Sequence, residues 1–247
     1  LEPLRLPPLP RRSPTTPGPA PAPGGTPASG AGPSPATGLD RIMAAPAMVL
    51  LVERAREIGL AKLAVTDHNC IEGALEAHAL APDLIIVGQE IDTAVGGELI
   101  AYFVTEQLPP HLSPEEAIAR LRDQGAIISI SHPLDRFRGS AMGVADTLKI
   151  MDLVDALEVF NARCLLAADN RRAAALAAQH HKPGTAGSDG HTLPEIGAAY
   201  VELPPFKGNA EAFLTSLALG KAAGRLTGIL PHLRSTLAKV AKRRKGL

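Results

Sequence analysis

From Leu39 onward, short runs of β-branched and apolar residues alternate with longer stretches of helical spacing. That rhythm suits a parallel sheet wrapped by helices, or a barrel, and little else. The predicted strands are Leu63–Thr66, Leu84–Gly88, Leu99–Val104, Ile127–Ser131, Ala156–Phe160, Gly184–Gly187 and Ala198–Leu203. Helical stretches are predicted near 46–58, 71–79, 114–123, 145–152, 166–181 and 209–219. The third opens with Ser113-Pro114-Glu115-Glu116, a serine cap, a proline at the first helical position and early acids.

Chemistry concentrates where these strands stop. Thr66-Asp67-His68, Gly88-Gln89-Glu90, Ser131-His132-Pro133 and Ser188-Asp189-Gly190-His191 each follow a predicted strand. In α/β barrels the carboxyl ends of parallel strands converge on one mouth, so residues far apart in sequence share a site. Imidazole with carboxylate suits zinc, manganese or iron, and a cluster of two or more ions needs a bridging carboxylate, for which Glu90 is the candidate. A single histidine at a strand end is ordinarily a hydrogen-bonded structural residue; the repetition is what favours a centre. His78, His111, His180, His181 and His232 lack that context and read as structural.

Composition narrows the partners. Lys plus Arg and Asp plus Glu each number 25, so no net charge attracts nucleic acid or an anionic membrane. Aromatics make up 3% of the chain, little for stacking bases. The two cysteines, Cys70 and Cys164, have no paired spacing, which fits a reducing cytoplasm and no disulfide framework. Twelve of the 23 prolines lie in the first 38 residues, so 1–38 is expected to be a disordered Pro/Ala/Gly-rich segment, without the apolar core of a secretory signal. The apolar run Ile42–Val52 is too short for a membrane span and reads as the start of a soluble helix. The expected folded domain is 39–230, followed by a basic helix or tail over 231–247.

The segments AVTDHN, VGQEIDT, ISHPLDR, ALEVFNAR and AGSDGHT, in that order, resemble the motifs of the PHP (polymerase and histidinol phosphatase) family, and within it the stand-alone bacterial metal-dependent phosphoesterases. The resemblance runs from about Leu51 to Leu203. It implies a distorted seven-stranded (β/α) barrel with two or three divalent ions (Mn, Zn or Fe) at its carboxyl mouth. By resemblance, His68 and His191 are ligands of one metal, with Asp189 a ligand of the first, Glu90 a bridge and His132 a ligand of a second; Asp67 holds an imidazole in its tautomer. One motif is missing. The family's opening H-x-H pair has no counterpart, since no histidine precedes His68. The first strand is therefore expected to be absent or degenerate, through a frameshifted or misplaced start, genuine degeneration, or an unrecognised compensating strand.

The implied reaction is hydrolysis of a small phosphate ester by metal-activated water. Arg163, Arg136 and Arg138 follow strand ends and are candidates to clamp a phosphate, Asn161 to orient a water or substrate, and Cys164 to fill buried space. A non-catalytic scaffold or binding protein is the second class compatible with the sequence, because of the missing motif. An amidohydrolase-like barrel is weaker, as no predicted strand ends in a bridging lysine. The expected partner is a small phosphorylated substrate, with no stable nucleic acid and no membrane; the sequence leaves the oligomeric state open.

Overall fold

The computed structural model describes residues 38–228. The expectations for 1–38 and 231–247 therefore lie outside the described residues, apart from Gly38. The elements are α1 (Gly38–Glu57), β1 (Leu63–Val65), α2 (Glu72–Leu80), β2 (Ile85–Asp92), β3 (Glu98–Tyr102), α3 (Pro114–Asp123), β4 (Ile127–Ile130), α4 (Gly143–Ile150), β5 (Ala156–Asn161), α5 (Ala167–Gln179), β6 (Gly184–Gly187), β7 (Ala199–Glu202), α6 (Ala210–Leu217) and β8 (Lys221–Gly224).

Strands β1 to β6 form one sheet in sequence order, and β7 pairs with β8 in a second. Serial order is the winding of a barrel, and here the sheet curls into a half-barrel of six strands that lacks one for closure. The predicted all-parallel pattern needs one correction. β3 runs antiparallel to both β2 and β4, while β1–β2, β4–β5 and β5–β6 are parallel. The cause is local: β2 and β3 are joined by the tight turn Thr93–Gly97, closed by Thr93 N donating to Gly97 O at 2.9 Å, with Gly96 at φ 85°. A parallel crossover needs about a dozen residues, and this connection is far shorter. Two further corrections are the start of α1, which runs on through Pro46 rather than opening there, and β8, whose Lys-Ala-Ala-Gly carries no strand propensity. The cap of α3 is as read: Ser113 Oγ accepts from Glu116 N at 3.1 Å.

Alternation along the strands sorts the sheet into two faces. Ile91, Leu99, Ala101, Ile128, Ile130 and Leu157 pack in one core with Ala117, Ile118 and Leu121 of α3 and Ala173, Leu176 and Ala177 of α5. On the other face, Ile86, Ile100, Tyr102, Ile127 and Ala156 pack with Phe213 and Leu217 of α6. The same alternation continues this second face into Glu90 and Asp92 of β2, Glu98 of β3 and Glu158 of β5. One end of the face is thus apolar and covered, and the other is polar.

Gln89 anchors the loop after β3. Its side chain is fully buried and donates from Nε2 to Leu108 O at 2.8 Å, while Oε1 accepts from Leu108 N at 2.9 Å. Gln89→Leu strands both backbone groups of a buried residue, and urea melts are expected to show a loss of about 3 kcal/mol.

Candidate metal centre

Two hydrogen bonds splice the chain after β1 to the middle of β2. Glu90 N donates to Asp67 O at 3.1 Å and Asn69 N donates to Glu90 O at 2.7 Å, which sets His68 beside Glu90. Asn69 adopts φ 56° and ties its amide to Asp92, donating from Nδ2 to Oδ2 at 2.7 Å. Glu90 does not end its strand, as the sequence suggested, but lies within β2 opposite Ile100.

Three buried groups meet at the polar end of the face. His132 Nε2 lies 2.7 Å from Glu98 Oε2 and 3.6 Å from Glu90 Oε1. His68 Nδ1, more exposed, lies 3.4 Å from Glu90 Oε2 and 3.7 Å from Glu98 Oε1. Hydroxyls orient both carboxylates: Ser131 Oγ donates to Glu90 at 2.7 Å and Ser140 Oγ to Glu98 at 2.9 Å. Glu90, Glu98 and His132 each offer an atom within 4.8 Å of the others, and so do His68, Asp92 and Glu98.

This donor set fits a divalent cation. Neither ring nitrogen of the buried His132 has a hydrogen-bond partner of proper geometry. Two nearly dry carboxylates face it with only hydroxyls as neutral donors, and a cation among them answers the remaining lone pairs. In the metal-free protein a proton does that work. Burial alone would lower the pKa of His132, but Glu90 and Glu98 outweigh it and raise it to about 10. Burial opposes ionisation of Glu90 as well, yet the adjacent imidazoles hold its pKa below the ordinary carboxylate value.

Glu98 and Asp92 are the residues that reasoning from strand ends missed. That rule looks at carboxyl ends of parallel strands, whereas β3 is antiparallel and delivers its first residue to the same rim. The legible signal was Gly96-Gly97 followed by an acid at a strand start. Glu158 was missed too. It is buried beneath His132, accepting from His132 N at 2.7 Å and from Asn161 Nδ2 at 3.1 Å. Burial pushes its pKa up to about 7 despite these bonds.

Glu158 therefore carries a pH signature in the metal-free protein. Its folded pKa lies above the unfolded value of 4.5, so the folded state holds the extra proton between these values and stability falls as pH rises through that window. Glu158→Gln removes the titration. Melts in EDTA are expected to show the variant about 2–3 kcal/mol more stable relative to wild type at pH 8 than at pH 4. An equal offset at both pH values would refute the assignment.

The structure divides the other expected residues. Asp189, at φ 48°, and His191 belong to neither cation cluster, although the His191 and His68 rings lie 6.4 Å apart. Asp189 Oδ2 instead pairs with Arg138 Nη1 at 2.5 Å and accepts from Asn161 Nδ2 at 3.2 Å. Arg163 Nη1 donates to His191 Nδ1 at 2.5 Å and lies 3.8 Å from Asp189 Oδ1. Asn161, expected to orient a water or substrate, is buried and divides its amide between Glu158 and Asp189 while Oδ1 accepts from Arg163 N at 2.9 Å. It braces the site from behind. Asp67 makes no hydrogen bond to an imidazole among the described residues, and burial raises its pKa. Arg136 turns to Asp169, donating from Nε to Oδ1 at 2.9 Å. Cys164 is buried, as its reading as a filler requires.

Residues 167–222 match the family model described as PHP-associated. That stretch runs from α5 through Asp189 and His191 into β8. An uncharacterized protein of Methanocaldococcus jannaschii is 34% identical over 142 residues, 56% of this chain, and the chain likewise spans only 56% of that relative. Among solved structures, PsfC from Pseudomonas syringae superposes with a TM-score of 0.57 at 20% identity, covering 81% of this chain and 90% of that one. The lesion-specific endonuclease PfuEndoQ from Pyrococcus furiosus gives 0.52 at 18% identity, covering 71% and 53%. At such identities both are likenesses of fold.

Proposed function

Because the chain is a PHP-domain protein, we propose that it is a metal-dependent phosphoesterase acting on a small phosphorylated substrate. The observation that carries this reading is the convergence of Glu90, Glu98 and His132, all buried, with His132 Nε2 facing both carboxylates and its Nδ1 without a hydrogen-bond partner among the described residues. Glu90, Glu98 and His132 would hold the ion, with His68 and Asp92 at its exposed side. When bound, a divalent ion lowers the pKa of a coordinated water and polarises a phosphoryl oxygen. The chain's own residues prepare that chemistry. Ser131 and Ser140 fix the orientation of the two carboxylates. Glu158 pins the backbone of His132, which sits at φ 25° just past β4. His132 would have to give up its proton to serve as a ligand, so uptake of metal at neutral pH would release a proton. The net reaction adds one water across the ester: phosphorus gains a bond to the water oxygen, its bond to the alcohol oxygen breaks, and the alcohol leaves protonated.

A small substrate is favoured over a long nucleic acid by zero net charge and few aromatics. No helix among the described residues is long and apolar enough to cross a membrane. The test is hydrolysis of p-nitrophenyl phosphate with added Mn²⁺, against the same protein stripped with EDTA. Metal-dependent release of nitrophenol supports the enzyme. A folded protein that takes up no metal supports the scaffold.

A further inference from the structure

A cavity of about 250 Å³ opens on the loop that follows His132, and three arginines line it. Its wall begins at Pro133, the residue after His132, and takes in Asp135, Arg136, Arg138 and Val144, with Arg172 contributed by α5. The loop is tied to itself. Asp135 N donates to His132 O and Arg138 N to Asp135 O, each at 3.2 Å, Ala141 N donates to Arg138 O at 3.1 Å, and Gly143 N returns to Pro133 O at 2.9 Å. These bonds hold the arginines of the loop at a set place relative to His132.

Asp169, in the first turn of α5, aims two of the guanidiniums. Its buried carboxylate accepts from Arg136 N at 3.3 Å and from Arg136 Nε at 2.9 Å, and Arg172 Nη1 lies 3.8 Å from the same Oδ1. One carboxylate thus serves two cations, and a positive charge is left over. Neither cation spends its donors. Arg136 is gripped through Nε, while its Nη1 and Nη2 donate no hydrogen bond among the described residues, and the Arg172 contact is too long for one. Their side chains are 54% and 49% exposed. The other acid of the cavity is already engaged: Asp135 Oδ1 accepts from Phe137 N at 3.1 Å and Oδ2 lies 3.6 Å from Arg138 Nε. Arg138 turns its Nη1 to Asp189, so the surplus charge belongs to Arg136 and Arg172.

We propose that this cavity is a second anion site of the centre, in which Arg136 and Arg172 take a phosphate or carboxylate carried on the alcohol side of the ester. This deepens the phosphoesterase reading and rests on it: the preferred substrate has one phosphate at the metal and a further anionic group on its leaving alcohol. The volume lies just under the range of about 300–1,000 Å³ that holds drug-sized ligands, and suits one small group. A guanidinium fixed through Nε keeps both Nη groups in one plane, which is the fork that pairs with two oxygens of an anion.

The test is phosphate release, with Mn²⁺ present, from three series of graded chain length: alkyl monophosphates, straight-chain diol bisphosphates, and alkanoates phosphorylated at the far end. At the matching length the doubly anionic ester is expected to exceed the monophosphate in kcat/KM by about tenfold. Preference for the bisphosphate, the phosphoalkanoate or both supports the subsite and shows which anion it takes; no preference at any length overturns it. Arg172→Gln is expected to remove most of the preference through a higher KM for the doubly anionic ester, and Arg172→Lys to keep part of it. A preference untouched by Arg172→Gln overturns the assignment and leaves the phosphoesterase reading standing. A metal-loaded chain that hydrolyses none of the esters overturns both.

Discussion

Glu90→Gln is expected to strip the protein of its divalent ion while leaving the far-UV dichroism unchanged. Glutamine fills the same volume within β2, and its carbonyl oxygen still accepts from Ser131 Oγ, so packing and the β2–β3 ladder survive. What disappears is a buried negative charge facing His68 and His132. A ligand charge removed from a dry site costs more than the loss of an outer-shell partner, so metal affinity is expected to fall by about a hundredfold or more, with activity following. The imidazole of His132 then keeps only Glu98 as a close carboxylate partner, and its pKa should move down from about 10. Elemental analysis of the purified variant is the check: metal content equal to wild type would mean that the centre lies elsewhere.

Gly187→Ala should produce the largest loss of stability. Gly187 lies in β6, and a Cβ added there would overlap Glu158 Oε1. Glu158 has no space to retreat into. It is 2% exposed, and its other oxygen is held by His132 N and Asn161 Nδ2. Relief requires either β6 to separate from β5 or the carboxyl to abandon the loop that carries His132. Overpacking of this kind typically costs about 1–3 kcal/mol, and the forced loss of buried hydrogen bonds adds to it, so about 4 kcal/mol is expected from denaturant melts. The variant Gly187→Ala/Glu158→Ala removes the clashing carboxyl and should recover part of the loss; no recovery would show that the glycine is required for another reason.

Much of the fold is legible in the sequence. The apolar runs at Leu63, Ile127, Ala156, Gly184 and Ala199 are strands in the structure, and Ser113-Pro114 starts a helix, because period-two apolar patterning and capping chemistry are local properties. The failures were non-local. Leu99-Ile100-Ala101 reads as a strand in isolation, but its direction follows from the five-residue turn at Thr93–Gly97 and not from its own residues. That one reversal explains why Glu98 escaped notice, since an acid that begins an antiparallel strand reaches the rim that other acids reach by ending parallel ones. β8 was invisible for a different reason: an edge strand of Lys, Ala and Gly is made by pairing with β7, not by propensity.

The sequence alone determined that short strands and helices would alternate, and that His68, Glu90 and His132 would lie near one rim, because residue spacing and strand-end position follow from local geometry. Only the tertiary structure decided which charges these groups face. Glu90 meets imidazoles across two strands, whereas Asp189 meets guanidiniums from Arg138 and Arg163, which lie 51 and 26 residues back along the chain. Electrostatic partnership depends on distance in space, and the same carboxylate holds a metal or an arginine according to what the fold sets beside it.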